Sequence, residues 1–150
     1  MFKFLDIFRK PKKIAFIDGD QPITRSLHAY NKYVANTGTE THFVRVKDAN
    51  HNEPKEIRKV KGINKIYLAG MTAKKEATDK FIGAYIQRAV SEGYKEITVI
   101  SSDYDFIDIF KMAVQVDPNA SKVSFRMIIP NAMGRATELP AKMMNIEIIK

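Results

Sequence analysis

Lys13-Ile14-Ala15-Phe16-Ile17-Asp18-Gly19-Asp20-Gln21 reads as a short buried strand that runs directly into an acidic turn. A second stretch repeats the design: Ile97-Thr98-Val99-Ile100-Ser101-Ser102-Asp103-Tyr104-Asp105-Phe106. Each sets two carboxylates two residues apart, just past an apolar run rich in β-branched residues. In a parallel α/β sheet the crevice outside the carboxyl ends of the strands is where ligands bind. Two such turns meeting there would gather four carboxylates in one small volume. Like charges that close do not all stay ionised without a cation, so the arrangement asks for a divalent metal.

Outward from these two turns, strand-like and helix-like segments alternate. Ile14–Ile17 is followed by a helix that begins near Pro22 and runs to about Val34. Strands are expected at Thr41–Val46, Lys65–Ala69, Ile97–Ser101 and Val123–Ile129, and helices at Pro54–Val60, Thr78–Ser91 and Phe106–Val114. Gly93 suits a C-cap and Gly70 ends the third strand. The tail reads as a helix at Glu138–Met144 and an edge strand at Ile146–Ile149. Alternation of this kind implies right-handed βαβ units, and hence an α/β fold. The expected architecture is a three-layer sandwich, with a mostly parallel central sheet of about five strands and helices on both faces.

With 150 residues, 45% of them apolar, the chain suits one ordinary core, assigned to residues 13–150. The absence of cysteine excludes thiolate zinc sites and cysteine nucleophiles, and it fits a reducing cytoplasm, the expected location. A net charge of +8 favours polyanionic partners, RNA or another nucleic acid first among them. Homo-oligomerisation is compatible with the sequence. Residues 1–12 stand apart as an amphipathic basic arm, in which Phe2, Phe4, Leu5, Ile7 and Phe8 mix with Lys3, Arg9, Lys10 and Lys12. This arm reads either as packed on its own domain or as a weak contact for an anionic membrane or a protein.

Asp18 is the strongest single candidate, because a buried strand that ends in aspartate puts the carboxylate at the mouth of the sheet. Asp20 reads equally as a cap for the helix near Pro22. Asp105 can cap the helix expected to start at Phe106, whereas Asp103 stands too early for that role. Ser101 and Ser102 can orient a carboxylate or simply form the turn. Asp79 lies three residues before Ile82 and seven before Ile86, so it shares the azimuth of the apolar stripe and points inward from the first helical turn. Asp108 is a weaker outer member of the group. His28, His42 and His51 have no partner at metal-ligand spacing. Lys74, Lys75 and Lys80 flank Asp79 and would hold phosphates, unless they belong to a solvated face interleaved with Glu53, Glu56 and Glu76.

The order of these motifs resembles the NYN domains, a branch of the PIN-like metal-dependent ribonucleases. Asp18-Gly19-Asp20-Gln21 is similar to that family's first motif, with Gln21 where asparagine is usual. Asp79 matches its central aspartate. Ser101-Ser102-Asp103-Tyr104-Asp105-Phe106 matches its last motif, with Ser102 in place of glycine. The resemblance spans roughly residues 14 to 129. It implies strand order 3-2-1-4-5 and hydrolysis of RNA phosphodiesters by water activated at Mg²⁺ or Mn²⁺. The implied catalytic and metal-binding residues are Asp18, Asp79, Asp103 and Asp105, with Asp20, Gln21, Ser101 and Ser102 supporting them.

Two other readings compete. Asp18-Gly19-Asp20 also resembles the Asp-x-Asp nucleophile motif of haloacid-dehalogenase-like phosphatases, although Pro22 departs from that pattern and the chain leaves no room for a cap. The remaining alternative is a non-catalytic RNA-binding or scaffolding module that keeps the fold.

Overall fold

Ile14, Ala15, Phe16 and Ile17 are each fully buried, which puts β1 (Lys13–Asp18) at the centre of the sheet. A computed structural model describes residues 12–47, 53–68 and 77–130, together with the backbone of 146–149. β2 (Glu40–Val46) and β4 (Glu96–Ile100) pair with β1 on either side, and β3 (Ile63–Leu68) and β5 (Ser124–Ile128) lie outside them. All pairings are parallel. The order is β3-β2-β1-β4-β5, with β6 (Ile146–Ile149) added in parallel at the β5 edge. The expected order and the edge strand at 146–149 are both observed.

Alternate residues of each strand feed the two outer layers. Ala15, Ile17, Phe43 and Ile100 pack against α1 (Ile23–Tyr33) and α2 (Lys55–Arg58) through Leu27, Tyr30 and Ile57. Ile14, Phe16, Val44, Ile97 and Val99 pack on the opposite face. There they meet α3 (Ala77–Ser91) and α4 (Asp105–Val116), through Ile82, Ile86, Phe106 and Phe110. Helices therefore cover both faces, giving the three-layer sandwich. Gly93, at φ +87°, closes α3 as expected, because a β-carbon disfavours that backbone conformation.

Some boundaries differ from the sequence reading. β3 begins at Ile63, two residues before the expected start, because parallel pairing of Thr41 with Ile63 recruits a residue outside the apolar run. A 3-10 turn at Pro118–Lys122 was not anticipated. Its start is fixed by Asp117, whose carboxylate accepts from the backbone of Asn119 at 2.9 Å. The arm up to residue 11, His51, the strand end at Ala69 and Gly70, Lys74, Lys75 and the helix expected at Glu138–Met144 lie outside the described residues. Among the described residues, no helix is long and apolar enough to cross a membrane.

Candidate functional site

The chain runs from β1 outward to β3 and then returns to β4 on the other side of β1. A reversal of this kind opens a crevice at the carboxyl ends of β1 and β4, where the following helices leave on opposite faces. Asp18 is the last residue of β1, and Ser101 follows the last residue of β4, so both acidic turns open into this crevice. Ile17 stands in register with Ile100, which brings Asp18 and Ser101 together across 83 residues of sequence.

At the base of the crevice Asp18 is 2% exposed, and both carboxylate oxygens are engaged. Oδ2 accepts from Ser101 Oγ at 2.7 Å, and Oδ1 accepts from the backbone N–H of Asp20 at 3.1 Å. Burial pushes the Asp18 carboxyl above its ordinary value, while these two bonds pull it back. Ser101, fully buried, also accepts from the backbone N–H of Asp103 at 3.0 Å. Its hydroxyl thus ties the carboxylate that ends β1 to the turn that carries Asp103. Gly19 lets this happen: a β-carbon there would stand 2.5 Å from the carbonyl oxygen of Val44 and 2.6 Å from Arg45 Cβ. Its N–H meanwhile donates to that carbonyl at 2.7 Å.

Above this base lie Asp79, Asp103 and Asp105. Asp79 comes from the first turn of α3, and each of the three offers an oxygen within 4.8 Å of the others. Asp79 and Asp103 are half-buried, and Asp105 is exposed. Burial, and the Asp103 carboxylate that shares a hydrogen bond with it, push the Asp79 carboxyl up to about 8. At neutral pH Asp79 therefore keeps a proton and donates it to Asp103. Asp18 and Asp20 add to the negative field in the same direction.

Among the described residues, the sequence-named acids take distinct places. Asp18 supports the site from below, and the compact group is Asp79 with Asp103 and Asp105. Two capping assignments are corrected. Asp105 does not cap α4, because it is the first helical residue and its own N–H is held by Asp103 Oδ1 at 2.9 Å. The helix start is thus bound by the residue expected to stand too early for it. Nor does Asp20 cap α1, whose N-terminus receives no side-chain bond. Ser102 Oγ donates to the side-chain oxygen of Gln21, joining the two strand-end turns at the surface. Asp108 is exposed and outside the compact group, and Lys80 is exposed beside Asp79. His42 is buried, packs between Phe16 and Tyr85 and bonds the Glu40 carboxylate at 2.7 Å through Nε2, outside the group of Asp79, Asp103 and Asp105.

A groove missed in the sequence opens from the same acids. It runs between α3 and α4 with a volume of about 420 Å³, and both Asp79 and Asp105 line it. Helical spacing gave a partial signal, since Gly83 and Gln87 on α3 fall on the azimuth of Asp79. Compared with known families and curated proteins, the chain matches no family model and no curated sequence, so the site is argued from its own residues.

Proposed function

We infer that the protein is a metal-dependent ribonuclease related to the NYN group, hydrolysing RNA phosphodiester bonds with Mg²⁺ or Mn²⁺. The observation that carries this reading is the convergence of Asp79, Asp103 and Asp105 at the strand-order reversal, with one oxygen of each within 4.8 Å of the others. The donor set fits a hard cation. Every group in it is a carboxylate, with no imidazole or thiolate, which suits magnesium or manganese over zinc or copper. Burial first, and the neighbouring carboxylates of Asp103, Asp18 and Asp20 after it, disfavour the charged form of Asp79, a cost that a bound cation would offset.

Asp79, Asp103 and Asp105 would hold the cation. When bound, it would lower the pKa of the attacking water and offset charge on the phosphodiester. The protein's own groups do the remaining work. Asp79 would have to release its proton to solvent to serve as a ligand. Ser101 and Asp18 fix the turn of Asp103 from beneath. Gln21 and Ser102 hold the two turns at one spacing. Lys80, exposed at the rim, can pair with a phosphate of the incoming strand.

The structure weighs against the phosphatase alternative. A nucleophilic aspartate must reach the substrate phosphorus, whereas Asp18 is 2% exposed with both oxygens bonded inside the protein. The scaffolding alternative is separated by experiment. Asp103→Asn should reduce Mn²⁺-dependent cleavage of single-stranded RNA by about 100-fold or more, because the variant loses a charged donor. Circular dichroism should show the fold intact. Undiminished cleavage in a folded variant would sink the nuclease reading, and a wild type that binds RNA without cutting it would favour the scaffold.

A further inference from the structure

The groove between α3 and α4 follows one face of each helix. Asp79, Gly83 and Gln87 line it at spacings of four residues on α3, and Asp105, Ile109 and Met112 line it at four and three on α4. Eight residues of α3 make the groove about 12 Å long. One end therefore carries Asp79, Asp105 and Lys80 and is shared with the site above, while the remainder is apolar and ends beside the Gln87 amide.

Two observations describe the walls of this space. The nearest side chain that a β-carbon at Gly83 would meet is Ile109, at 3.5 Å, which is an ordinary contact. Gly83 is also not among the glycines with positive φ. Neither packing nor backbone conformation thus requires glycine, although a helix interior disfavours it. Its effect is to leave one wall of the groove flat. On the opposite wall Met112 is 56% exposed, a large apolar side chain left uncovered at the groove.

We propose that this groove seats one unpaired nucleobase of the substrate strand, next to the phosphate that a cation at Asp79, Asp103 and Asp105 would hold. The proposal rests on the ribonuclease reading. A base suits the groove on three counts. It is a flat body that stacks on apolar side chains, its edge can exchange hydrogen bonds with the Gln87 amide, and its sugar-phosphate leads to the acidic end and Lys80. A base paired in a duplex cannot enter a groove between two helices without leaving its stack.

The test uses the full chain loaded with Mn²⁺. Calorimetry compares adenosine 5′-monophosphate with ribose 5-phosphate, which carries the same phosphate and no base, and Mn²⁺ binding is measured separately. The nucleotide should bind about tenfold tighter or more, the size of one stacked base. Gly83→Leu, which fills the groove, and Met112→Ser, which removes its apolar flank, should each bring the ratio to within about twofold while Mn²⁺ affinity stays unchanged. Met112 is largely exposed, so Met112→Ser decides the matter if Gly83→Leu does not fold. Normal Mn²⁺ binding with equal affinity for the two ligands, or a preference that survives Met112→Ser, would overturn the base site and leave the nuclease intact. A dimer that Met112→Ser dissolves, with no base preference, would assign the groove to a second copy and also overturn it. Failure to bind Mn²⁺ or to cleave RNA would remove both readings together.

Discussion

Asp79 is where the chemistry of this protein is most exposed to measurement. Its carboxyl ionises at about 8 in the fold, against 3.8 when free, so between those values the folded state holds a proton that the unfolded chain has released. Stability must then fall as pH rises through that window and level off above about 8. With metal chelated, the melting temperature should decline from about pH 4 to pH 8, and added Mn²⁺ should restore most at the alkaline end, where no proton has to be displaced. Asp79→Asn should flatten the chelated profile and lose the Mn²⁺ response. A wild-type profile that is flat in chelator would remove the proton from Asp79. Ser101 is the second informative residue. Ser101→Ala leaves a buried carboxylate oxygen and the N–H of Asp103 without their shared partner, a loss of about 1–3 kcal/mol by denaturant titration. Mn²⁺ affinity should fall about 10- to 100-fold in the same variant, because the Asp103 turn loses its anchor. If stability and affinity both hold, Ser101 is only a turn residue. The acids themselves were legible, since apolar runs ending in Asp mark a strand mouth. Ser101 could be read as orienting a carboxylate, but its two partners could not be named, because a hydroxyl carries no periodicity and Asp18 lies 83 residues away.

At the scale of elements, the two strand-end turns depend on how closely the chain approaches itself. Gly19 passes against the carbonyl of Val44, so Gly19→Ala must push β1 away from β2 just where Asp18 is held. The expected cost is about 1–3 kcal/mol, read as a lower denaturation midpoint with unchanged m-value, and Mn²⁺ affinity should weaken with it. An unchanged midpoint would mean that the turn relaxes freely. Glycine after Asp18 could be seen in the sequence, but not the strand that makes it necessary. Helix and strand interiors were readable for a simple reason: Phe106, Phe110 and Ala113 recur at helical spacing, and Ile14 to Ile17 form an uninterrupted run. Ends were less so. The start of α4 is set by one hydrogen bond that Asp103 accepts, and that of the 3-10 turn by one that Asp117 accepts. The groove was hidden for a different reason, since it belongs to the spacing between α3 and α4 and to neither helix alone.

Over the whole molecule, the candidate site draws on residue 18, residue 79 and residues 101 to 105, so no single element or βα unit contains it. β1 and β4, neighbours in the sheet, are separated by two strands and three helices in sequence. Joining them closes the longest loop the site requires, and closure of that kind comes at an entropic cost before any contact repays it. A cation held by Asp79, Asp103 and Asp105 finds the Asp103 turn fixed only once Ser101 has joined it to Asp18. Its influence on the kinetics should therefore be one-sided. At 100 times its dissociation constant, Mn²⁺ adds about 2.7 kcal/mol to the native state. Stopped-flow measurements should show unfolding slowed about 100-fold and refolding nearly unchanged, the signature of an interaction made after the barrier. Accelerated refolding would instead place the β1–β4 junction in the nucleus. The hydrogen bond between Ser101 and Asp18 is thus also a clasp: the ion would act as a lock on a finished protein and give no help in assembling it.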